Sequence, residues 1–480
     1  MLTVEEIQTL IDSDHSSQQK RLARQGQRYY EGRHDILSTR IFYFDPQGVL
    51  QEDKYKSNIR ISHPFFTELV DQQVQYMLSG DPQHIKSKIP QLQQQLDDYF
   101  DPDFYTELAD LLTGTASKGF DYLCAVTDAE GKTRFEYADS LGVVEVRAKD
   151  TDDGCEYIIY WYIDRVDKGR KAIKRIQVWD KDQIWFYVQV QQGQIVPDDT
   201  VPLNPRPHTL FTDRKGRQYQ KGFGYLPFFR LDNGRKQVSG LAPIKGLIDD
   251  YDLMACSLSN NLQDFTEALY VVRGYQGANL DELVENIKAK KHIGVDSDGG
   301  VDIQTVDIPY QARQVKLELD ERNIYRFGMG FNSAQVGDGN VTNVVIKSRY
   351  ALLDLKCNKL QIRLCQLLKK LVKVVLKEIN AREGTDYKPT DVYFSFDREV
   401  ITNASDNAQI ALTDAQRKQA EINTLLGLSN VLDEETLIQR ICDILELDYQ
   451  EIKDKLPQRE EDTADARQAL AQVTPEDADE

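Results

Sequence analysis

The spacing of apolar residues changes character several times along the chain, and each change predicts a different element. Residues 3–30 read as a polar, weakly amphipathic helix, and residues 35–55 as an irregular arm with turn signals at Asp45-Pro46 and Gly48. After Ser62-His63-Pro64-Phe65-Phe66, the positions Leu69, Val70, Gln73, Val74, Met77 and Leu78 keep a helical spacing that stops at Gly80-Asp81-Pro82. Between residues 120 and 196 the period falls to two, over 120–126, 135–137, 143–146, 156–163, 173–179 and 184–190. Aromatic and β-branched residues dominate there, with turns at Glu130-Gly131-Lys132, Asp153-Gly154 and Gln192-Gly193, which predicts an antiparallel β region.

A loop-rich stretch, 197–234, leads to a candidate N-cap at Ser239 and a long helix whose apolar positions are Leu241, Ile244, Ile248, Tyr251, Met254, Leu258, Leu262, Phe265 and Leu269. Residues 269–309 then read as a small mixed insertion: a strand at 270–273, a short helix at 280–289, and a hairpin at 293–303 with Asp298-Gly299-Gly300 at its tip. The helical pattern resumes at 311–327, so two long helices bracket a small α/β module. Past a Gly- and Asn-rich stretch at 328–343 comes the strongest periodic signal, Ile346, Tyr350, Leu353, Cys357, Leu360, Leu364, Leu367, Leu371 and Val374, which predicts one long helix. A strand at 392–396, amphipathic helices over 407–456 and a polar tail, 457–480, with too few apolar residues to fold alone complete an α+β, mainly helical reading.

Composition narrows the class. At 480 residues the chain exceeds what one core usually supports, so several structural regions are expected. Neither residues 1–7 nor any later stretch supplies a basic region followed by an apolar run, or an apolar run long enough for a membrane, so secretion and membrane insertion are not expected. Cys124, Cys155, Cys256, Cys357, Cys365 and Cys442 are scattered without a Cys-x-x-Cys pair and the six histidines are dispersed, which predicts neither disulfides nor a metal site and fits a reducing cytoplasm. A net charge of −19 argues against a protein that grips nucleic acid over its whole surface, while leaving room for DNA that slides past without sticking.

Three features carry candidate chemistry. The segment Asn332-Ser333-Ala334-Gln335-Val336-Gly337-Asp338-Gly339-Asn340-Val341-Thr342-Asn343 precedes a helix, where glycine-rich loops cradle phosphates, yet it lacks a Gly-Lys-Ser/Thr ending and no strand leads into it. A mobile surface loop is the simpler reading. The following helix carries Lys347, Arg349, Lys356, Lys359, Arg363, Lys369, Lys370, Lys373, Lys377 and Arg382 against Asp354 and Glu378, and Arg349, Lys356, Arg363, Lys370 and Lys377 recur every seven residues as a ridge. Such a ridge is either a solvated face or, in a chain this acidic, a contact for an oppositely charged partner, namely a neighbouring acidic subunit or DNA. Lys288, Lys290, Lys291 and His292 form a smaller cluster, either a docking surface or an ordinary basic helix end. The pairs Asp249/Asp250 and Asp152/Asp153 are chance adjacency in an acid-rich chain, and no Ser/His/Asp or Cys/His constellation is present, so no catalytic residue and no cofactor is expected.

The order of segments resembles the portal proteins of siphophage-type tailed bacteriophages. The resemblance is carried by Lys56-Ser57-Asn58-Ile59-Arg60, His63-Pro64-Phe65-Phe66, Leu69-Val70-Asp71-Gln72 and Tyr76-Met77-Leu78-Ser79-Gly80-Asp81-Pro82, then by Pro227-Phe228-Phe229, Asn233, Ser239-Gly240-Leu241, Lys245-Gly246-Leu247-Ile248-Asp249-Asp250-Tyr251-Asp252, Ser257, Asn260-Asn261 and Val272-Arg273-Gly274-Tyr275. It spans residues 29–382. What it implies is a dodecameric ring at the capsid vertex, assembled in the host cytoplasm, that provides a channel for packaging and ejecting double-stranded DNA. By segment order it implies a wing (1–238), a first stem helix (239–268), a clip (269–309), a second stem helix (310–328), a tunnel loop (329–344), a long wing-crossing helix and strand (345–401), crown helices (402–456) and an acidic tail (457–480). In that scheme Asn332, Gln335, Val336, Asn340, Thr342 and Asn343 face DNA, and Lys347, Arg349, Lys356, Arg363 and Lys370 meet a subunit or DNA. Lys288, Lys290 and Lys291 would dock the clip. The implied partners are further copies of the chain, the terminase large subunit, a head-tail adaptor, and capsid and scaffolding proteins. A packaging ATPase would need a P-loop, which is missing. A cellular DNA-binding module would show a basic domain. Another head-tail connector or adaptor is the nearest alternative, though adaptors are shorter and lack the helix, insertion, helix order.

Overall fold

The computed structural model describes residues 1–53, 56–147, 154–167, 171–191, 193–212, 218–264, 269–275, 295–304, 310–332, 343–398, 404–428, 434–445 and 449. The chain divides into two compact units, residues 1–338 with 347–400, and 339–346 with 401–480.

Residues 3–30 form two helices, where the apolar pattern predicts one. Thr3 and Glu6 make a capping box that starts α1 (Val4–Ser16). Ser17 adopts an extended conformation and its hydroxyl accepts from Lys20 N, so it begins α2 (Gln18–Tyr30). The arm that follows is more regular than expected. Strands β1 (Phe42–Phe44) and β2 (Leu50–Glu52) pair across the Asp45–Gly48 turn, where Gly48 N donates to Asp45 O at 2.8 Å.

Helix α3 (Phe65–Met77) and β3 (Ile85–Ser87) lead into α4 (Pro90–Tyr99) and α5 (Pro102–Lys118), two helices the apolar pattern left unassigned. Their signals are short: proline at the first turn of each, Asp101 capping Phe104 N, and Gly119 at φ 101° ending α5.

The β region is present, in two sheets. β4 (Phe120–Thr127) is flanked by β5 (Thr133–Ala138) and β14 (Phe228–Asp232) in one sheet. β6 (Val143–Arg147), β7 (Cys155–Asp167), β8 (Lys171–Trp179), β9 (Gln183–Val190) and β10 (Val196–Pro197) form the other, with β11 (Arg206–Pro207) also on β9. β12 (Thr209–Thr212) and β13 (Gln218–Lys221) pair separately. β4 is buried on both faces: Phe120, Tyr122 and Cys124 pack with Ile158, Trp179, Ile184 and the Ala23 of α2, while Leu123 and Ala125 face the main core. Helix α1 lays Ile7 and Ile11 on Val144, Ile159, Ile176 and Trp185 of the larger sheet.

The predicted first long helix starts later than Ser239. That hydroxyl donates to Ser117 O and accepts from Leu241 N, which supports turns through Ile244 before α6 (Lys245–Asp264) begins. Strands β15 (Leu269–Tyr275) and β16 (Val295–Gln304) pair antiparallel, and Gly300 sits opposite Arg273, so Asp298-Gly299-Gly300 lies within a bulged strand instead of at a hairpin tip. The helix expected at 280–289 lies outside the described residues.

Helix α7 (Tyr310–Gly328) and the 41-residue α8 (Asn343–Glu383) follow, and β17 (Val392–Phe394) returns to pair with β3. The apolar stripe of α8 is a core face: Leu353, Cys357, Leu360, Leu364, Leu367 and Leu371 are buried with residues of α3, α4 and α5. The second unit contains α9 (Ala404–Gly427) and α10 (Glu434–Leu445), the latter burying Leu437 and Cys442.

Candidate functional site

The two helices that bracket the insertion are held from both sides. Lys316 of α7 reaches Asp250 of α6 at 2.6 Å and also pairs with Asp320, and these hydrogen bonds raise its pKa. Tyr251, Phe65 and Tyr325 stack edge to face across α6, α3 and α7. Along its other flank α6 carries Asp252, Cys256, Asn260 and Asp264, one residue per turn. Asp264 Oδ1 accepts from Ser57 N at 2.9 Å, Asn260 Oδ1 from Ile59 N at 2.7 Å, Cys256 Sγ from Ile61 N at 3.2 Å and Asp252 Oδ1 from His63 N at 3.0 Å. The twelve helical residues between the end rungs cover about 18 Å at 1.5 Å each, and the six strap residues opposite them therefore rise about 3 Å each, close to an extended strand. A helix face thus replaces the edge of a sheet as the partner of an extended segment.

At the end of α7 the backbone closes in a Schellman turn. Gly330 N donates to Tyr325 O at 2.9 Å and Met329 N to Arg326 O at 3.3 Å, with Met329 itself left-handed at φ 54°. Glycine is needed at 330, because a Cβ there would stand 2.0 Å from the Leu69 side chain of α3. The next residues are clamped. Gln72 of α3 donates to Phe331 O at 2.8 Å and accepts from Phe331 N at 3.0 Å, the Phe331 ring stacks on Tyr350 of α8 at 4.6 Å, and Asn332 Nδ2 reaches Glu321 at 2.9 Å. Gln72 is itself oriented by Glu68, which also takes the Tyr325 hydroxyl at 2.5 Å. The root of the glycine-rich segment is therefore tied to α3, α7 and α8 at once.

Lys356, expected on the cationic ridge, turns inward. Its ammonium donates to Gly328 O at 3.0 Å, satisfying a carbonyl at the C-terminus of α7, and burial pushes its pKa down to about 8. Two acids of α8 are already engaged, Asp354 with Arg398 and Glu378 with Arg382. Lys359, Lys369, Lys370, Lys373 and Lys377 are exposed and Arg363 is half-buried, and among the described residues none has a carboxylate partner. The ridge therefore survives as Arg363, Lys370 and Lys377, joined by Lys359, Lys369 and Lys373, which the seven-residue spacing did not single out.

Of the remaining expected site residues, Gln335, Val336, Asn340 and Thr342 lie outside the described residues, as do Lys288, Lys290 and Lys291. Asn343, Lys347 and Arg349 belong to α8 by backbone, with their side chains outside the description. Sequence reasoning missed the clamp by Gln72 and Tyr350: Gln72 lies off the apolar stripe of α3 and Tyr350 reads as one more apolar position of α8, so the spacing gave neither a role in it. Of the apolar stripes on the long helices, Ile248 of α6 and Leu360, Leu364 and Leu371 of α8 are covered by the chain's own core. Uncovered apolar groups lie instead at Leu262 of α6, Val315 and Leu319 of α7, and Leu355 and Ile362 of α8. Among the described residues no cluster of metal-ligating side chains is present, and no helix is long and apolar enough to cross a membrane.

Residues 11–462 match the family model described as phage portal protein, SPP1 Gp6-like. Over 353 residues the chain is 29% identical to the portal protein of Bacillus phage SPP1, covering 73% of this chain and 68% of that one. Over 435 residues it is 24% identical to the portal protein of Clostridium phage phiCD119, covering 85% and 89%. Among solved structures it is similar to a chain from the neck of a native GTA particle computed with C12 symmetry, with a TM-score of 0.39 and 12% identity over 80% of this chain and 90% of that one.

Proposed function

The chain belongs to the SPP1 Gp6-like family of phage portal proteins, and from that premise we propose how its parts divide the work of a portal. The subunit is a ring-forming structural protein of the virion, and its ring surrounds the channel through which double-stranded DNA is packaged and ejected. Helices α6 and α7 form the stem, residues 269–309 the clip, residues 329–344 the tunnel loop, residues 1–238 and 345–401 the wing, and residues 402–456 the crown. The closed ring is a dodecamer. The clip offers Lys288, Lys290 and Lys291 to the terminase large subunit and later to a head-tail adaptor, while the wing meets capsid and scaffolding proteins.

The observation that carries this reading is the clamped root. A segment rich in glycine and amide side chains leaves α7 at a fixed point, after Asn332 has been tied to Glu321 and Phe331 to Gln72. Asn332, Gln335, Val336, Asn340, Thr342 and Asn343 then meet DNA weakly, because amides and glycines hydrogen-bond without neutralising phosphates. Arg363 and Lys370, with Lys347 and Arg349 nearer the loop, contact an acidic surface of the neighbouring subunit. Lys356 is left out of that set and positions the end of α7.

Imaging of the purified protein in negative stain, with DNA packaging scored in parallel, tests the division. Deleting residues 337–340 leaves rings intact and lowers packaging, whereas Arg363→Glu with Lys370→Glu weakens rings in a salt-dependent way. Wild-type packaging by the deletion, or unchanged ring stability in the charge reversal, would refute it.

A further inference from the structure

At the C-terminal end of α8, away from the clamped root, a cavity of about 610 Å³ opens between that helix, the β4–β5 turn and the β12–β13 pair. Its size falls in the range of pockets that enclose a ligand or an anchoring side chain. Phe223 and Tyr225, whose rings lie 5.6 Å apart and nearly parallel, and Val374 give it apolar walls. The Tyr225 hydroxyl is buried, so its ring is what that residue presents to the cavity.

The charges around the cavity are unbalanced. Glu378, its carboxylate, is already occupied: it takes the Thr133 hydroxyl at 2.5 Å, the Tyr99 hydroxyl at 3.0 Å and the Arg382 guanidinium at 2.8 Å. Lys221, Lys373 and Lys377 also line the cavity, and no carboxylate among the described residues pairs with any of the three. In a chain of net charge −19 this is a local cationic rim around an apolar hole.

We infer that this cavity is a docking site for an acidic segment of a partner protein that carries one large apolar anchor. The anchor fills the space between Phe223, Tyr225 and Val374, and flanking acids meet Lys221, Lys373 and Lys377. Nucleic acid fits less well, since phosphates would use the rim and leave the apolar walls uncovered. The site lies outside the channel residues of the proposed function and does not depend on them.

The test uses full-length assembled protein and a fluorescent hexapeptide, Asp-Asp-Phe-Leu-Glu-Glu, read by anisotropy. Saturable binding is expected, weakened at least tenfold when Phe and Leu of the peptide are replaced by Ala. Lys373→Glu with Lys377→Glu should weaken it at least tenfold, and Ala381→Trp, which narrows the mouth, should do the same. All three positions lie at the cavity, and unchanged rings in negative stain show that folding is intact. The proposal is overturned by no saturable binding, by equal affinity for the Ala peptide, by duplex DNA displacing the peptide at lower concentration than unlabelled peptide does, or by peptide binding only to unassembled protein, which would make the cavity a contact between copies.

Discussion

Removing the Asp252 carboxylate should loosen the strap on α6 from one identifiable end. Asp252 is fully buried and accepts three hydrogen bonds: His34 Nδ1 at 2.6 Å, His63 Nδ1 at 2.7 Å and His63 N at 3.0 Å. The His34 ring is also buried, stacked on Tyr29 at 4.5 Å, and its Nε2 has no partner among the described residues. In Asp252→Ala the His34 Nδ1–H has nowhere else to go, at a cost of about 1–3 kcal/mol. His63 is 31% exposed at the side chain, so water recovers part of its loss. Adding about 1 kcal/mol for each of its two groups gives a total of about 3–5 kcal/mol, a large part of a typical domain stability. The three lower rungs, at Cys256, Asn260 and Asp264, remain. The strap should therefore fray from His63 toward Ile61 and stay attached at Ser57. Chemical denaturation at fixed protein concentration gives the total, and amide hydrogen exchange at residues 57–63 gives the direction of fraying. Burial works to raise the Asp252 pKa, yet the hydrogen bonds from His34 and His63 outweigh it and hold the group below the usual carboxylate range. Its contribution is thus complete above about pH 4, the unfolded value, and is lost as pH falls through the lower folded value. Asp252→Asn should lack that acid-dependent loss. Stability of Asp252→Ala within about 0.5 kcal/mol of wild type, with unchanged exchange at Ile61 and His63, would refute the reasoning, because that is the scatter of ordinary surface substitutions.

Three further outcomes follow from the same geometry. Gly26→Ala places a Cβ 1.9 Å from the Ser117 carbonyl oxygen, so denaturation should show a loss of at least about 1–3 kcal/mol, the range for overpacking against backbone. Lys356 has a folded pKa of about 8, below the unfolded value of about 10.4, so its burial opposes folding while it is charged and stability should rise between about pH 8 and 10. Lys356→Met should flatten that rise, which urea titrations at the two pH values would detect. Gln72→Ala leaves the Phe331 amide and carbonyl without side-chain partners, so exchange at Phe331 should quicken while that at Gly330, bonded to Tyr325 O, should not.

Period-two and period-3.6 patterns were sufficient for the strands between 120 and 190 and for the long helix α8, because those elements bury one regular face. They failed where polar groups do the holding. Past Ile248 the inward face of α6 is Asp252, Cys256 and Asn260, whereas the apolar positions Leu253 and Leu262 are exposed. An apolar count along that helix therefore finds the side on which Tyr251 meets Phe65 but misses the polar face under the strap. Lys20 and Lys118 are buried for the same reason: Lys20 reaches Ser140 O and Val143 O, and Lys118 bridges Asp121 and Asp139. Burial pushes the Asp121 pKa up to about 6 against the pull of Lys118. Nothing in the local spacing of a lysine marks it for such a network. The ridge on α8 was legible as a repeat, but that Lys356 turns inward depends on the carbonyl of Gly328, 28 residues earlier in the chain.

Helix α3 joins two features that lie far apart in sequence. Its N-terminus continues directly from the strap, whose last rung is His63 on Asp252, and its third turn supplies Gln72 to Phe331. Thr67 also donates to Tyr30 O at 2.6 Å and Tyr30 to Asp71 at 2.9 Å, so α3 is fixed to the end of α2 as well. A rotation of α7 against α6 would have to break the Tyr325–Glu68 and Phe331–Gln72 bonds or carry α3 with it, and carrying α3 would pull the strap off its rungs. Each of these hydrogen bonds contributes about 1 kcal/mol, but they share one rigid helix and are lost together. The root of the glycine-rich segment is in this way set by the same contacts that hold the helix pair, and Asn332, tied to Glu321, is the last described residue under their control.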